Sequence, residues 1–113
     1  MLSQATKKPP PGEGATSAQV WKPVVCAING MCAGGGQYFV NECDIVICSQ
    51  DAVFFDPHVS YGMTAAFEPM QMLAKMPFQE IMRLSLLGAH ERMSAERARE
   101  IGLVSEVVPR DEL

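Results

Sequence analysis

The residues best placed to do chemistry are Asn29-Gly30-Met31-Cys32-Ala33-Gly34-Gly35-Gly36, which lie between a β-branched run and a helix-like segment. Each glycine gives up more backbone freedom on folding than any other residue, so three in a row point to a backbone that must come close to something. At a helix start the unpaired N–H groups face outward with partial positive charge. A carbonyl oxygen that becomes an oxyanion would be stabilised there. A plain tight turn, in which glycine only lets strand and helix pack closely, explains the same residues, and residue chemistry leaves both readings open. Nucleotide motifs fit poorly. Gly34-x-Gly36 begins a G-x-G-x-x-G, but its third position is Phe39, and a P-loop would need Lys and Ser or Thr after Gly35 where the chain has Gly36-Gln37.

Two side chains downstream of this segment can carry proton chemistry. His58 follows Pro57, where it reads as a plain loop residue, although a histidine can serve as acid or base in the physiological range. Glu68, in Ala65-Ala66-Phe67-Glu68-Pro69, stands at a helix start, where the dipole favours a carboxylate, and is available as a further acid or base. Glu42 and Asp44 flank a buried strand, where carboxylates pair or cap. Cys26, Cys32, Cys43 and Cys48 all lie in or beside apolar runs without a C-x-x-C pair. They read as buried free thiols, not as disulfides, metal ligands or a Cys32–His58 nucleophile pair, and no metal site is expected.

The elements that must position these groups follow from the apolar runs and their punctuation. Strands are expected near Val24–Asn29, Asp44–Ser49, Val53–Phe55 and Leu103–Val108, with a turn across the glycines. Helices are expected over Gln37–Cys43, from Pro69 as a first helical position with Met70, Met72, Leu73 and Met76 on its buried face, over Phe78–Leu87 closed by Gly88, and over Ala95–Ile101 between the N-cap Ser94 and Gly102. The order is that of an α/β fold.

Composition narrows the class. The chain has 113 residues, 48% apolar and 19% charged, enough for one modest core and too apolar for disorder throughout. Residues 1–21 are Pro- and Gly-rich and read as a flexible leader, with residues 22–113 as the domain. The net charge of −4, without a basic cluster, argues against nucleic acid. The uncharged stretch Pro23–Asn41 is interrupted by Gly30, Gly34, Gly35, Gly36, Asn29 and Gln37, which makes it a core segment, not a membrane span. A charged n-region followed by an apolar run is missing, so a cytoplasmic location is the expectation.

Three ordered blocks, KPVVCAINGMCAGGG, CDIVICSQDAVFFDP and SAERAREIGLVSEVVP, resemble the crotonase superfamily, the enoyl-CoA hydratase/isomerase proteins, over about Lys22 to Leu113. The resemblance implies a spiral of ββα turns, usually in trimers, of which this chain is an incomplete part. It implies an acyl-CoA thioester as ligand, with coenzyme A entering as part of the substrate and no separate cofactor. Gly35 would supply one of two backbone N–H groups that hold the thioester oxygen, with Gly34 and Gly36 beside it; the other N–H comes from an earlier segment in the family. The two glutamates with which hydratases of the family handle water correspond here to Tyr38 and His58. An enzyme of altered chemistry, a non-catalytic acyl-CoA-binding or oligomer-forming relative, and an inactive truncated fragment are the three classes this leaves.

Overall fold

Strands and helices alternate so that each strand pair feeds one strand to each of two small sheets. In the computed structural model, which describes residues 21–113, β1 (Val25–Ile28) pairs in parallel with β3 (Ile45–Ser49), Val25 opposite Ile45. β3 in turn pairs in parallel with β6 (Glu106–Val108), Cys48 opposite Val107. In the second sheet β2 (Met31–Ala33) runs parallel to β4 (Val53–Phe55), and β5 (Met93–Ser94) is antiparallel to β4. Parallel neighbours need a crossover. α1 (Gly36–Glu42) provides it between β1-β2 and β3-β4, and α2 (Phe67–Met72) and α3 (Phe78–Leu87) follow β4. The expected leader lies outside the described residues apart from Trp21.

The core joins Ile28, Val46, Cys48 and Phe54 from the strands to Val40, Met72, Ile81 and Leu84 from the helices. Asp44 pairs, as a carboxylate beside a strand should: its Oδ2 accepts the Val24 N–H at 2.7 Å. Lys75 donates its ammonium to the Val40 carbonyl at 2.7 Å and to the Cys43 carbonyl, closing the end of α1. α4 (Ala95–Glu100) is capped by Ser94, whose Oγ accepts the Arg97 N–H at 3.2 Å. Its turn-facing Ala95 and Ala98 are fully buried. No helix among the described residues is long and apolar enough to cross a membrane.

Four expectations need correction. The glycine-side turn contains a strand, β2, because Met31–Ala33 finds a partner in Val53–Phe55, which its own sequence does not display. The last strand is shorter than Leu103–Val108. Gly102, at φ +87°, turns the chain so that the Leu103 and Val104 N–H groups both donate to the Ala98 carbonyl, at 2.9 and 3.2 Å, and only Glu106–Val108 reaches the sheet. Pro69 is the third residue of α2 instead of the first, a position whose N–H needs no partner in the helix either. Only Met72 and Met76 of the expected apolar face are buried; Met70 and Leu73, with Phe67, form an outward stripe at helical spacing.

Candidate functional site

The parallel register of the second sheet decides what meets what. Ala33 lies opposite Phe55, so the residues that follow each strand, Gly34-Gly35-Gly36 after β2 and Asp56-Pro57-His58 after β4, leave from the same end of the sheet. Sites in α/β folds gather at the carboxyl ends of parallel strands for this reason.

The three glycines differ in what the fold asks of them. Gly34 is buried at φ +48°, and a Cβ added there would sit 3.3 Å from Pro57 Cγ and 3.9 Å from His58 Cε1. Gly36 packs on Cys32, whose Sγ would be 3.4 Å from its Cβ. Gly35 has neither constraint. Its φ of −54° and ψ of −24° are helical values, nothing lies within 4 Å of an added Cβ, and the residue is exposed. Its carbonyl accepts the Tyr38 N–H at 3.2 Å, while its own N–H has no acceptor among the described residues.

His58 opens the 3-10 turn His58–Tyr61 with its ring between two carboxylates. Nδ1 lies 2.6 Å from Asp56 Oδ1, and Nε2 lies 3.7 Å from Glu68 Oε1. The latter distance is too long for a hydrogen bond. The side chains of Asp56, Glu68 and His58 are 1%, 6% and 22% exposed, so the ring is the accessible member. Glu68 owes its place to the first turn of α2, and α2 is tied to α1 by Asn41, whose Nδ2 donates to the Glu68 carbonyl at 3.2 Å. Tyr38 is half-buried one helical turn before Asn41 on α1.

Of the residues expected from sequence, Gly34, His58 and Glu68 meet in space, Gly35 and Gly36 adjoin them along the chain, and Tyr38 lies on α1, the helix that Asn41 docks against α2. Sequence reasoning missed Asp56. The available signal was Asp-Pro-His at the end of an apolar run, since an aspartate closes a turn on the N–H two residues ahead, and Asp56 Oδ1 accepts the His58 N–H at 2.9 Å. Cys32 is buried, and burial pushes its thiol up to about 12. Among the described residues no group of three His, Cys, Asp or Glu side chains is arranged to hold a metal ion.

Such an arrangement can take a proton at the His58 ring and return it beside a second buried carboxylate, one residue along the chain from a backbone N–H that has no acceptor among the described residues. Comparison with known proteins bears on the substrate. The family model described as enoyl-CoA hydratase/isomerase matches residues 12–113. A Rhodococcus jostii (7aS)-7a-methyl-1,5-dioxo-2,3,5,6,7,7a-hexahydro-1H-indene-carboxyl-CoA hydrolase is 40% identical over 91 residues, 80% of this chain and 34% of that protein. The mitochondrial Delta(3,5)-Delta(2,4)-dienoyl-CoA isomerase of Rattus norvegicus is 39% identical over 88 residues, 78% of this chain and 27% of that protein. The crystal structure of an enoyl-CoA hydratase/isomerase from Mycobacterium paratuberculosis superposes with a TM-score of 0.79 at 50% identity, over 81% of this chain and 36% of that one. The chain thus spans about a third of the length of the relatives it matches.

Proposed function

Because the chain belongs to the enoyl-CoA hydratase/isomerase family, we propose that its site binds an acyl-CoA thioester and moves a proton on the acyl chain. The observation that carries this reading is Gly35: an exposed residue whose N–H has no acceptor among the described residues and which needs to be glycine for neither φ nor packing, one position from the Gly34 beside His58. A thioester oxygen held by that N–H draws charge off the carbonyl and acidifies the neighbouring carbon. The His58 ring then removes a proton, and His58 or Glu68 delivers it at another carbon. The Tyr38 hydroxyl serves as a hydrogen-bond donor beside them. Coenzyme A enters as part of the substrate.

The reaction we favour is isomerisation or α-proton exchange, not hydration. Adding water across a double bond needs one group to deprotonate water and another to protonate carbon, and the positions that resemble the hydratase glutamates hold Tyr38 and His58. The two curated relatives named above, a hydrolase and an isomerase, share the fold region while differing in the chemistry their names state.

The test is deuterium uptake from heavy water into the acyl group of a saturated acyl-CoA and of crotonyl-CoA, read by mass spectrometry. Wild-type exchange should fall roughly 100-fold in His58→Gln and in Glu68→Gln. Exchange that is unchanged in both variants would remove these residues from the chemistry, and tight binding of the thioester without any exchange would leave a binding module.

A further inference from the structure

We propose that Asp56 is a positioning residue that fixes the hydrogen of the neutral His58 ring on Nδ1 and so presents Nε2 as the bare, proton-accepting nitrogen. The proposal deepens the reading of His58 as the proton-transfer group and rests on it. Its evidence is separate. Asp56 Oδ1 accepts the backbone N–H of His58 at 2.9 Å, so this oxygen is turned toward His58 as an acceptor. The same oxygen is 2.6 Å from Nδ1, shorter than an ordinary N–H···O contact. A bare Nδ1 at that distance would set lone pair against lone pair; only a hydrogen on Nδ1 fits.

The ring has little freedom to escape this choice. Asp56 is almost wholly buried and held by the turn it closes, and Gly34 lies against the ring edge at Cε1. With the hydrogen on Nδ1, the lone pair of the neutral ring is on Nε2, the nitrogen that lies 3.7 Å from Glu68 Oε1. Proton traffic therefore runs between Nε2, Glu68 and whatever lies between them, while Nδ1 stays out of the exchange. Asp56 does not touch the reacting atoms.

A turn former alone would not account for the carboxylate. Asn or Ser closes the same turn through one oxygen and brings no charge into the interior. Asp56 Oδ2 is buried without a hydrogen-bond partner among the described residues, a state that costs free energy and that closing a turn does not require. A carboxylate is needed where a ring that becomes positively charged during the reaction must be both oriented and stabilised, as with the aspartate of a Ser-His-Asp triad.

The decisive measurement is the 15N spectrum of the full chain labelled at histidine, in solution or by magic-angle spinning if the protein associates. There are two histidines, His58 and His90, and His90→Gln assigns the signals. The expected result is a neutral His58 with protonated Nδ1 and unprotonated Nε2. A neutral ring with its hydrogen on Nε2 overturns the proposal, whatever the activity. Asp56→Asn, which keeps an oxygen for the turn, should lower kcat for proton exchange roughly 100-fold and leave KM unchanged, with Asp56→Glu recovering part of the loss. An Asp56→Asn protein with wild-type kcat also overturns it. Should wild-type protein show no exchange, the proposed function fails, and the tautomer spectrum still decides the role of Asp56.

Discussion

Adding one methyl group at Gly35 and at Gly34 should have opposite consequences. At Gly35 the backbone is already helical, at φ −54° and ψ −24°, and an added Cβ meets nothing within 4 Å. Gly35→Ala therefore costs the folded state nothing and narrows the unfolded ensemble, a gain of about 0.4–1 kcal/mol. At Gly34, φ is +48°, and a left-handed conformation costs an L-residue roughly 1–2 kcal/mol. The new methyl would also stand 3.3 Å from Pro57 Cγ, tighter than ordinary contact, so the Pro57 ring must give by a few tenths of an ångström. Gly34→Ala should lose about 1–3 kcal/mol in all. Urea denaturation reads both, as an upward shift of midpoint for Gly35→Ala and a downward one for Gly34→Ala at equal slope. Calorimetric titration with a non-hydrolysable acyl-CoA supplies the other half. If the Gly35 N–H receives the thioester oxygen, the methyl intrudes where the ligand approaches, and affinity should drop at least roughly tenfold, about 1.4 kcal/mol, in the more stable variant. Wild-type affinity in a stabilised Gly35→Ala would refute the assignment, as would a Gly35→Ala less stable than Gly34→Ala.

Three further outcomes follow from the packing. Ser94→Ala removes the oxygen that accepts the Arg97 N–H and should lower stability by about 1 kcal/mol in the same urea assay, with Ser94→Asp near wild type. Val25 and Ile45, paired across β1 and β3, and the Phe67, Met70 and Leu73 stripe on α2 are exposed, so the chain should sediment as an associated species that Ile45→Lys and Phe67→Lys shift toward monomer; a monomeric wild type would contradict this. Burial, reinforced by a neighbouring cysteine in each case, pushes Cys26 up to about 11 and Cys32 up to about 12 from an ordinary 9.0. The folded state keeps both protons after the unfolded chain has lost them, so the contribution of these thiols to stability should be flat below pH 9.0 and fall from there to about pH 12; Cys32→Ala should flatten the fall, and a midpoint independent of alkaline pH would refute it.

What the sequence disclosed follows the range of the forces involved. Ser94, Gly102 and Gly88 act within one turn of chain, and the helices they bound lie where their residues say. β2 and β5 are set by distant partners, Met31–Ala33 by Val53–Phe55 and Met93 by Phe54, and three or two residues carry too little pattern to announce a strand. The stripe of Phe67, Met70 and Leu73 has the spacing of a buried face and points outward, because periodicity finds a face without saying whether anything covers it. At the site, local chemistry alone gave glycines and a histidine with no reason to meet. Their resemblance to a family motif brought Tyr38 and His58 into view, but Asp56, whose role depends on a ring folding back two residues, required coordinates.

The site is a consequence of register more than of any single residue. Gly34 reaches His58 only because Ala33 lies opposite Phe55 in a parallel pair, so the chain leaves both strands at the same level. Slipping β2 by one residue against β4 would move the glycines about 3.3 Å along the strand and turn Cys32 from the core to the opposite face. Buried Cys32 and Phe54, paired at the centre of that contact, therefore hold the geometry of the donor N–H relative to the imidazole, although neither touches the chemistry. On the helix side the same task falls to Asn41, which fixes α1 against the first turn of α2 and with it the distance from Glu68 to the ring. Two β-β-α units in parallel register thus bring the glycine turn, a ring nitrogen and a buried carboxylate together from three separate stretches of chain.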